Sequence, residues 1–163
     1  MSDSIPSIEI RPLAKPDDVD PCARMMSGTE PWITLRRGYE ESVATLTDPA
    51  KESYVAVADG SVVGFLILNM RGAFVGYIQT VCVAPEWRSQ GIGRRLIAFA
   101  EERILAETPN VFMCVSSFND DARRLYARLG YEVVGELRDY IVRGHSEILL
   151  RKTIAPLRDF GKG

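Results

Sequence analysis

The residue pattern with the clearest chemistry is a glycine turn between a predicted strand and a predicted helix. The β-branched run 78–83 leads into the turn 88–93, Arg-Ser-Gln-Gly-Ile-Gly, and an amphipathic helix follows. Gly91 and Gly93 let main-chain N–H groups approach a ligand closely, and the start of a helix adds unpaired amides and the positive end of its dipole. The arginines of this segment are Arg88, Arg94 and Arg95. Together these features favour a phosphate or pyrophosphate site.

Spacing alone leaves one alternative open, a tight strand-to-helix connection with solvated arginines. Two nucleotide-binding motifs are excluded more firmly. A P-loop requires Lys and then Ser or Thr after its last glycine, whereas Arg94 and Arg95 follow Gly93. A dinucleotide fingerprint requires G-x-G-x-x-G, and Leu96 occupies the third glycine position.

A second pattern lies downstream, at 119–131, and reads N-D-D-A-R-R-L-Y-A-R-L-G-Y. The turn R-x-x-G-x-G, preceded by V-C-V-A-P-E-W, resembles the acetyl-CoA pyrophosphate loop of the GNAT superfamily of N-acetyltransferases. The downstream segment is similar to the N-x-x-A-x-x-L-Y-x-x-x-G-F/Y segment of the same family. The resemblance covers about residues 8–152 and is closest in character to the ribosomal-protein alanine N-terminal acetyltransferases.

This resemblance implies an α/β (α+β) protein with the GNAT fold. The expected sheet is mixed and mostly antiparallel, with six to seven strands and helices on both faces. We expect a single N-acetyltransferase domain over residues 1–163, with a core at about 8–152. The resemblance also implies acetyl-CoA as a cosubstrate.

The same resemblance assigns roles to residues. The implied pyrophosphate cradle consists of Arg88, Ser89, Gln90, Gly91, Ile92, Gly93 and Arg94. Backbone amides near Val81, Cys82 and Val83 would bind the acetyl carbonyl and the pantetheine arm, because the family separates its fourth strand from its fifth. Asn119 is a helix cap, a ligand of the pantetheine arm, or both. Tyr126 matches the family tyrosine that protonates the CoA sulfur, although its spacing also suits a packed helix-face aromatic.

The acceptor side rests on the resemblance alone. The residues implied there are Glu30, Trp32, Tyr39 and Tyr140. Without the family, Trp32 is more readily interpreted as a core or lid aromatic.

The general base departs from the family pattern. The N-terminal acetyltransferase branch has a glutamate five residues before the motif asparagine, and here that position is Cys114. The remaining candidates are Glu30, Glu40, Tyr140, His145 and Glu147, although a lone histidine beside a glycine is more often an exposed turn residue. Ordered water could also take the proton, more easily from an α-amine with a pKa of about 8 than from a lysine.

The elements that must position these residues can be predicted from periodicity. Strands are expected at 8–13, 53–58, 61–69, 73–83, 111–116, 131–135 and 148–150, with a β-rich hairpin at 138–145. Helices are expected at 19–26 and 35–46, after Gly93, and between Asn119 and Gly130. The Asp59-Gly60 pair predicts a hairpin between the second and third strands.

Composition limits the function classes. The chain has 163 residues, a net charge of -2 and a sequence pI of about 5.5, which argues against nucleic acid or membrane partners. An odd count of cysteines (Cys22, Cys82, Cys114) favours a reducing cytoplasm, and their scatter around one histidine predicts no metal site. The start of the chain has no leader pattern, and no apolar run of about 18 residues predicts a membrane span.

Two hypotheses follow. The first is an acetyl-CoA-dependent N-acetyltransferase that moves an acetyl group, in a ternary complex, to a protein N-terminal α-amine or a small-molecule amine. The alternative is a CoA-binding regulatory module without transfer activity, for which Cys114 in place of the glutamate is the motive. The family habit of pairing through the C-terminal strand at the sheet edge also suggests a homodimer.

Overall fold

The computed structural model describes residues 6–162, so the first residues of the predicted polar N-terminal arm lie outside the described part. Its strands are β1 (Ile8–Pro12), β2 (Glu52–Ala58), β3 (Ser61–Asn69), β4 (Tyr77–Val83), β5 (Asn110–Ser116), β6 (Glu132–Leu137) and β7 (Glu147–Thr153). Its helices are α1 (Val19–Ser27), α2 (Tyr39–Leu46), α3 (Ile92–Leu105) and α4 (Asp120–Arg128), with short 3₁₀ turns at Pro85–Trp87 and Leu157–Asp159.

The strands form one seven-stranded sheet in the order β1-β2-β3-β4-β5-β7-β6. Every neighbouring pair is antiparallel except β4 and β5, which are parallel. The parallel pair has only two register positions, Tyr77 with Phe112 and Ile78 with Met113. Beyond them β4 and β5 separate, and the sheet opens in its middle. The predicted fold class, a mixed and mostly antiparallel sheet of six to seven strands, is confirmed.

Two apolar cores lie on opposite faces of the sheet, and β3 contributes to both. Leu66 and Leu68 belong to the cluster that includes Leu96 and Ile97 of α3. Phe65 and Ile67 belong to the cluster that contains Met26 of α1 and Leu46 of α2. Because successive side chains of a strand point to opposite faces, an uninterrupted apolar run is what a strand covered on both sides requires. The predicted placement of helices on both faces is confirmed.

Two predicted elements begin later than expected. The helix predicted from residue 35 begins at Tyr39, because residues 31–36 form turns in which Arg36 has a left-handed φ of 58°. The strand predicted from residue 73 begins at Tyr77, because Gly72 and Gly76 have φ values of 92° and 89° and the chain turns between them. Residues 30–37 consequently form a loop beside the sheet opening.

The C-terminal part also differs from the prediction. β6 and β7 form a hairpin, but residues 138–144 between them are turns and bends, although Ile141 and Val142 are β-branched. β7 lies between β5 and β6, so the C-terminal strand is interior and β6 is the edge strand at this end. The C-terminal strand β7 is therefore not at a sheet edge, where the suggested pairing of two copies would require it.

No helix within residues 6–162 is both long enough and apolar enough to cross a membrane.

The position of Gly76, just before β4, requires a residue with a left-handed backbone and no side chain. A Cβ at this position would lie 2.6 Å from the Asn110 carbonyl oxygen and 2.6 Å from Cγ2 of Ile104. We therefore expect Gly76→Ala to lower the free energy of unfolding by about 3 kcal/mol, since backbone strain and overpacking add.

Gly72→Ala is the matched control. Gly72 also has a left-handed φ, but a Cβ there meets nothing within 4 Å, so only the backbone cost of about 1 kcal/mol remains. Urea unfolding of both variants measures the difference, and equal losses would show that the contact with Asn110 and Ile104 is unimportant.

Candidate functional site

The opening between β4 and β5 leaves backbone groups of β4 without a strand partner. The Ala84 amide donates to the Val63 carbonyl on β3 at 2.9 Å, whereas the Val83 carbonyl accepts from Arg88 Nε at 3.2 Å. Because residues alternate along a strand, the amides of Val81 and Val83 face the opening and that of Cys82 faces β3. Two backbone donors are therefore directed into the gap, and the Cys82 thiol is buried in the core beside α1.

A cavity of about 920 Å³ occupies this gap. It brings together most of the residues that the sequence implied. These are Glu30, Trp32, Val81, Cys82, Val83, Arg88, Ser89, Gly91, Ile92, Gly93, Arg94, Asn119, Tyr126 and Tyr140. Gln90 is not among the lining residues, because its side-chain amide turns back toward the Glu86 carbonyl at 3.5 Å. Tyr39 is not among them either, because its hydroxyl donates to Asp20 at 2.7 Å.

The turn before α3 has the geometry of an anion site. Ser89 and Gly91 have left-handed φ values of 62° and 82°, and a Cβ at Gly91 would meet nothing within 4 Å. The first helical bond runs from the Arg95 amide to the Gly91 carbonyl at 3.1 Å, so the three preceding amides have no acceptor in the helix. Successive free amides in such a turn form a concavity that binds anions.

Arg95 does not add charge to this turn, in contrast to the prediction. Its guanidinium donates to the Ile8 carbonyl of β1 at 2.8 Å, on the far side of α3. Arg88 and Arg94 line the cavity, and α4 brings two further arginines, Arg124 and Arg128, to the opposite wall. Sequence reasoning missed this pair, although a spacing of four residues places both on one side of the helix.

Asn119 and Tyr126 hold the positions that the sequence implied. The Asn119 side chain caps α4 by accepting from the Ala122 amide at 3.4 Å, and Asn119 also lines the cavity. Burial raises the pKa of Tyr126 to about 12, so its phenol stays protonated at neutral pH. Its ring meets that of Tyr131 edge-on with centroids 6.1 Å apart. A protonated hydroxyl in the gap can donate a hydrogen bond to an atom bound there.

The outer wall of the cavity is formed by the loop at 30–37 and by the segment between β6 and β7. The carboxylate of Glu30 is exposed and accepts from both the amide and the hydroxyl of Thr34, at 3.1 and 2.9 Å. Trp32 is half-buried, and Tyr140 is 63% exposed. Glu30 thus stabilises its own loop, which limits its capacity to act as a base.

Behind this wall lies a group of polar side chains on one face of the β5–β7 ladder. Glu147 is paired in register with Ser116, and Cys114 lies two residues before Ser116 on the same face. Glu147 is only 5% exposed, and its Oε2 atom has no hydrogen-bond partner. Burial raises the pKa of Glu147, and the nearby Ser116 hydroxyl and Arg37 charge oppose this rise. Burial and then the adjacent Cys114 thiol raise the pKa of Tyr77.

Three further residues near Glu147 were not predicted, namely Ser116 of β5, Tyr77 of β4 and Arg37 of the loop before α2, and all three line the cavity. Of the candidate bases, Glu147, Glu30 and Tyr140 line the cavity. Glu40 is exposed on α2, and His145 packs edge-on against Phe118 with centroids 4.9 Å apart. Neither Glu40 nor His145 is among the lining residues.

Among the described residues, no group of three or more His, Cys, Asp and Glu side chains is placed to hold a metal ion.

Comparison with known proteins agrees with this geometry. Residues 18–131 match the model of the acetyltransferase (GNAT) family. The chain is 36% identical over 97 residues to an aminoalkylphosphonate N-acetyltransferase of Salmonella typhimurium, covering 55% of this chain and 62% of that protein. It is 30% identical over 121 residues to the N-alpha-acetyltransferase RimI of Mycobacterium tuberculosis, covering 72% of each chain.

The match to the Salmonella protein therefore spans less than two thirds of that protein's length. Among solved structures, an aminoglycoside 6'-N-acetyltransferase complexed with coenzyme A superposes with a TM-score of 0.73. That likeness covers 91% of this chain and 98% of the other at 18% identity, and so concerns the fold. Because the family model matches residues 18–131, which are most of this chain, the chain belongs to the GNAT family of acetyltransferases.

Proposed function

We propose that this protein is an acetyl-CoA-dependent N-acetyltransferase that acts on a primary amine. The observation that carries the proposal is the opening between β4 and β5, which joins an anion-binding turn, two free β4 amides and a protonated tyrosine in one cavity. The two named relatives are N-acetyltransferases of an aminoalkylphosphonate and of an α-amine, which supports an amine acceptor.

Each part of the cavity has a task in acyl transfer. The free amides of the turn at 88–94, with Arg88 and Arg94, hold the pyrophosphate of acetyl-CoA. The amides of Val81 and Val83 face the gap, where they bind the pantetheine arm and stabilise the oxyanion that forms when the amine attacks. Tyr126 donates a hydrogen bond to the departing sulfur and passes it a proton that is replaced from the attacking nitrogen.

We further propose that residues 8–152 form a single N-acetyltransferase domain, which the single seven-stranded sheet supports. A cytoplasmic location belongs to the same proposal and is supported by three free cysteines, two of which, Cys22 and Cys82, are buried. Assembly into a homodimer stays a prediction.

Isothermal titration of acetyl-CoA, followed in the same sample by thiol release with a panel of amines, tests the proposed function. We expect binding together with release that requires an amine. Binding without release for every amine would favour the alternative, a CoA-binding regulatory module. If acetyl-CoA did not bind, the turn at 88–93 would be a strand-to-helix connection without a role in cofactor binding.

Gly91→Asp tests the pyrophosphate cradle. The variant places a negative side chain among the free amides, and we expect the affinity for acetyl-CoA to fall at least about tenfold, which corresponds to about 1.4 kcal/mol. Gly91→Asn is the control, because Asn is close to Asp in size and in its tolerance of a left-handed backbone but has no charge, and nothing lies within 4 Å of a Cβ there. Calorimetry that found equal affinity in both variants would contradict the cradle.

Tyr126→Phe tests the proton donor. Removing the hydroxyl leaves the ring in place, so we expect turnover to fall by about 10² or more while the affinity for acetyl-CoA changes little. Tyr131→Phe is the matched control, because its hydroxyl donates to Glu101 at 2.9 Å and serves the core. If affinity and stability fell together in Tyr126→Phe with no selective loss of turnover, Tyr126 would be a packing residue.

A further inference from the structure

The inner end of the cavity holds a carboxylate whose burial the fold itself does not explain. Glu147 is the first residue of β7 and is 5% exposed, yet its Oε2 atom is buried without a hydrogen-bond partner. The hydroxyl of Ser116, its cross-strand neighbour, is also buried; it lies near enough to favour the charged form of Glu147 but makes no hydrogen bond of ordinary length. An ionised carboxylate oxygen that is buried without a partner destabilises the folded state, and a positively charged ligand in the adjoining cavity would supply the missing partner.

A cation lies close by without neutralising this carboxylate. Arg37, in the loop before α2, lines the same cavity, and its charge acts on Glu147. The salt bridges found among the described residues do not include one between Arg37 and Glu147, nor any that uses Arg37. The Arg37 amide donates to the Trp32 carbonyl at 3.0 Å, which fixes the backbone that carries it. The acceptor end therefore presents one anionic and one cationic side chain that face a common space.

From this juxtaposition we propose that Glu147 binds the ammonium group of the acceptor and takes its proton, while Arg37 binds an anionic group on the same acceptor. The acceptor class is thus a primary amine that also carries a carboxylate or a phosphonate. This inference rests on the proposed transferase function and names the base that the family position, here Cys114, does not supply. Arg37 opposes polycationic amines by repulsion, which gives the site its selectivity.

The proton balance is complete. The ammonium transfers one proton to Glu147, and the nitrogen lone pair then forms the new C–N bond to the thioester carbonyl carbon, whose oxygen becomes the oxyanion. The carbonyl re-forms as the C–S bond breaks. A second proton leaves the nitrogen and reaches the CoA sulfur through Tyr126. After the neutral amide product has left, Glu147 releases its proton to water.

Glu147→Gln tests the base. We expect turnover to fall by about 10² to 10⁴ for every accepted amine, with the affinity for acetyl-CoA unchanged. We expect the acidic limb of the wild-type pH–rate profile to lie above the ordinary range of a glutamate, since burial raises the pKa of Glu147, and to disappear in the variant. The groups that face Glu147 are Ser116 and Cys114 of β5, Tyr77 of β4 and Arg37 of the loop before α2, and none of them carries a carboxylate.

Stability gives a second readout that a structural role would not share. Because the unpartnered carboxylate opposes folding at neutral pH, Glu147→Gln is expected to melt at or above the wild-type temperature. Glu136→Gln on β6 is the matched control, since Glu136 is exposed and outside the cavity lining. A variant that lost stability and kept its turnover would overturn the role of Glu147.

Arg37→Met tests the anion site, with Arg36→Met, an exposed neighbour outside the cavity lining, as its control. Thiol release is measured with 3-aminopropanoate and 2-aminoethylphosphonate against propylamine and 1,3-diaminopropane. The wild type is expected to favour the anionic amines at least tenfold in kcat/KM, and Arg37→Met to abolish that preference by raising KM.

Two peptides with a free N-terminal amine, one with Asp and one with Ala as the second residue, test whether the anionic group belongs to a protein substrate or to a small molecule. Preference for the Asp peptide over the small amines would assign the anion to a protein substrate, which supports the same charge pairing. Release from all amines without any charge preference would overturn the inference and leave the transferase function standing. Absence of release with every amine, despite acetyl-CoA binding, would overturn both.

Discussion

β4 and β5 pair over two register positions and then separate, and the site depends on this separation. If the two strands paired along their full length, the amides of Val81 and Val83 would be satisfied by β5 and the gap would close. The separation begins beside a register irregularity, where Leu68 and Ile67 of β3 face Ile78 and Thr80 and Gln79 is skipped. The opening leaves these amides available to a ligand with acceptor oxygens.

Two costs of folding gather around the same opening. Ser89 adopts a left-handed φ of 62° although it is not a glycine, and the carboxylate of Glu147 is buried without a full set of partners. The two cores on either face of β3 compensate by burying large apolar side chains such as Phe65 and Leu66 completely. A strained residue and an unsatisfied carboxylate thus lie at the cavity, as expected when a rigid scaffold carries a reactive site.

Much of the site could be predicted from sequence because its parts are local. The glycine turn, the helix it opens, the Asn119 cap and Tyr126 lie within two short segments that resemble motifs of the family, and the spacing within each segment fixes their relative positions. Local spacing could not associate Arg37 with Glu147, since they are far apart in sequence. They come to line the same cavity only through the β5–β7 pairing and the path of the loop before α2. The start of α2 was misplaced for a related reason, because the left-handed backbone at Arg36 interrupts a helical apolar pattern that continues on either side.

The central claim is that the β4 amides facing the gap bind the acetyl-CoA thioester arm, and backbone amide NMR of the ¹⁵N-labelled protein tests it most directly. On addition of acetyl-CoA, the amide signals of Val81 and Val83 should shift and their hydrogen exchange should slow. The Ala84 amide, already bonded to Val63, should change little. Saturating binding that left Val81 and Val83 unchanged would show that the opening in the sheet is not where the thioester arm binds.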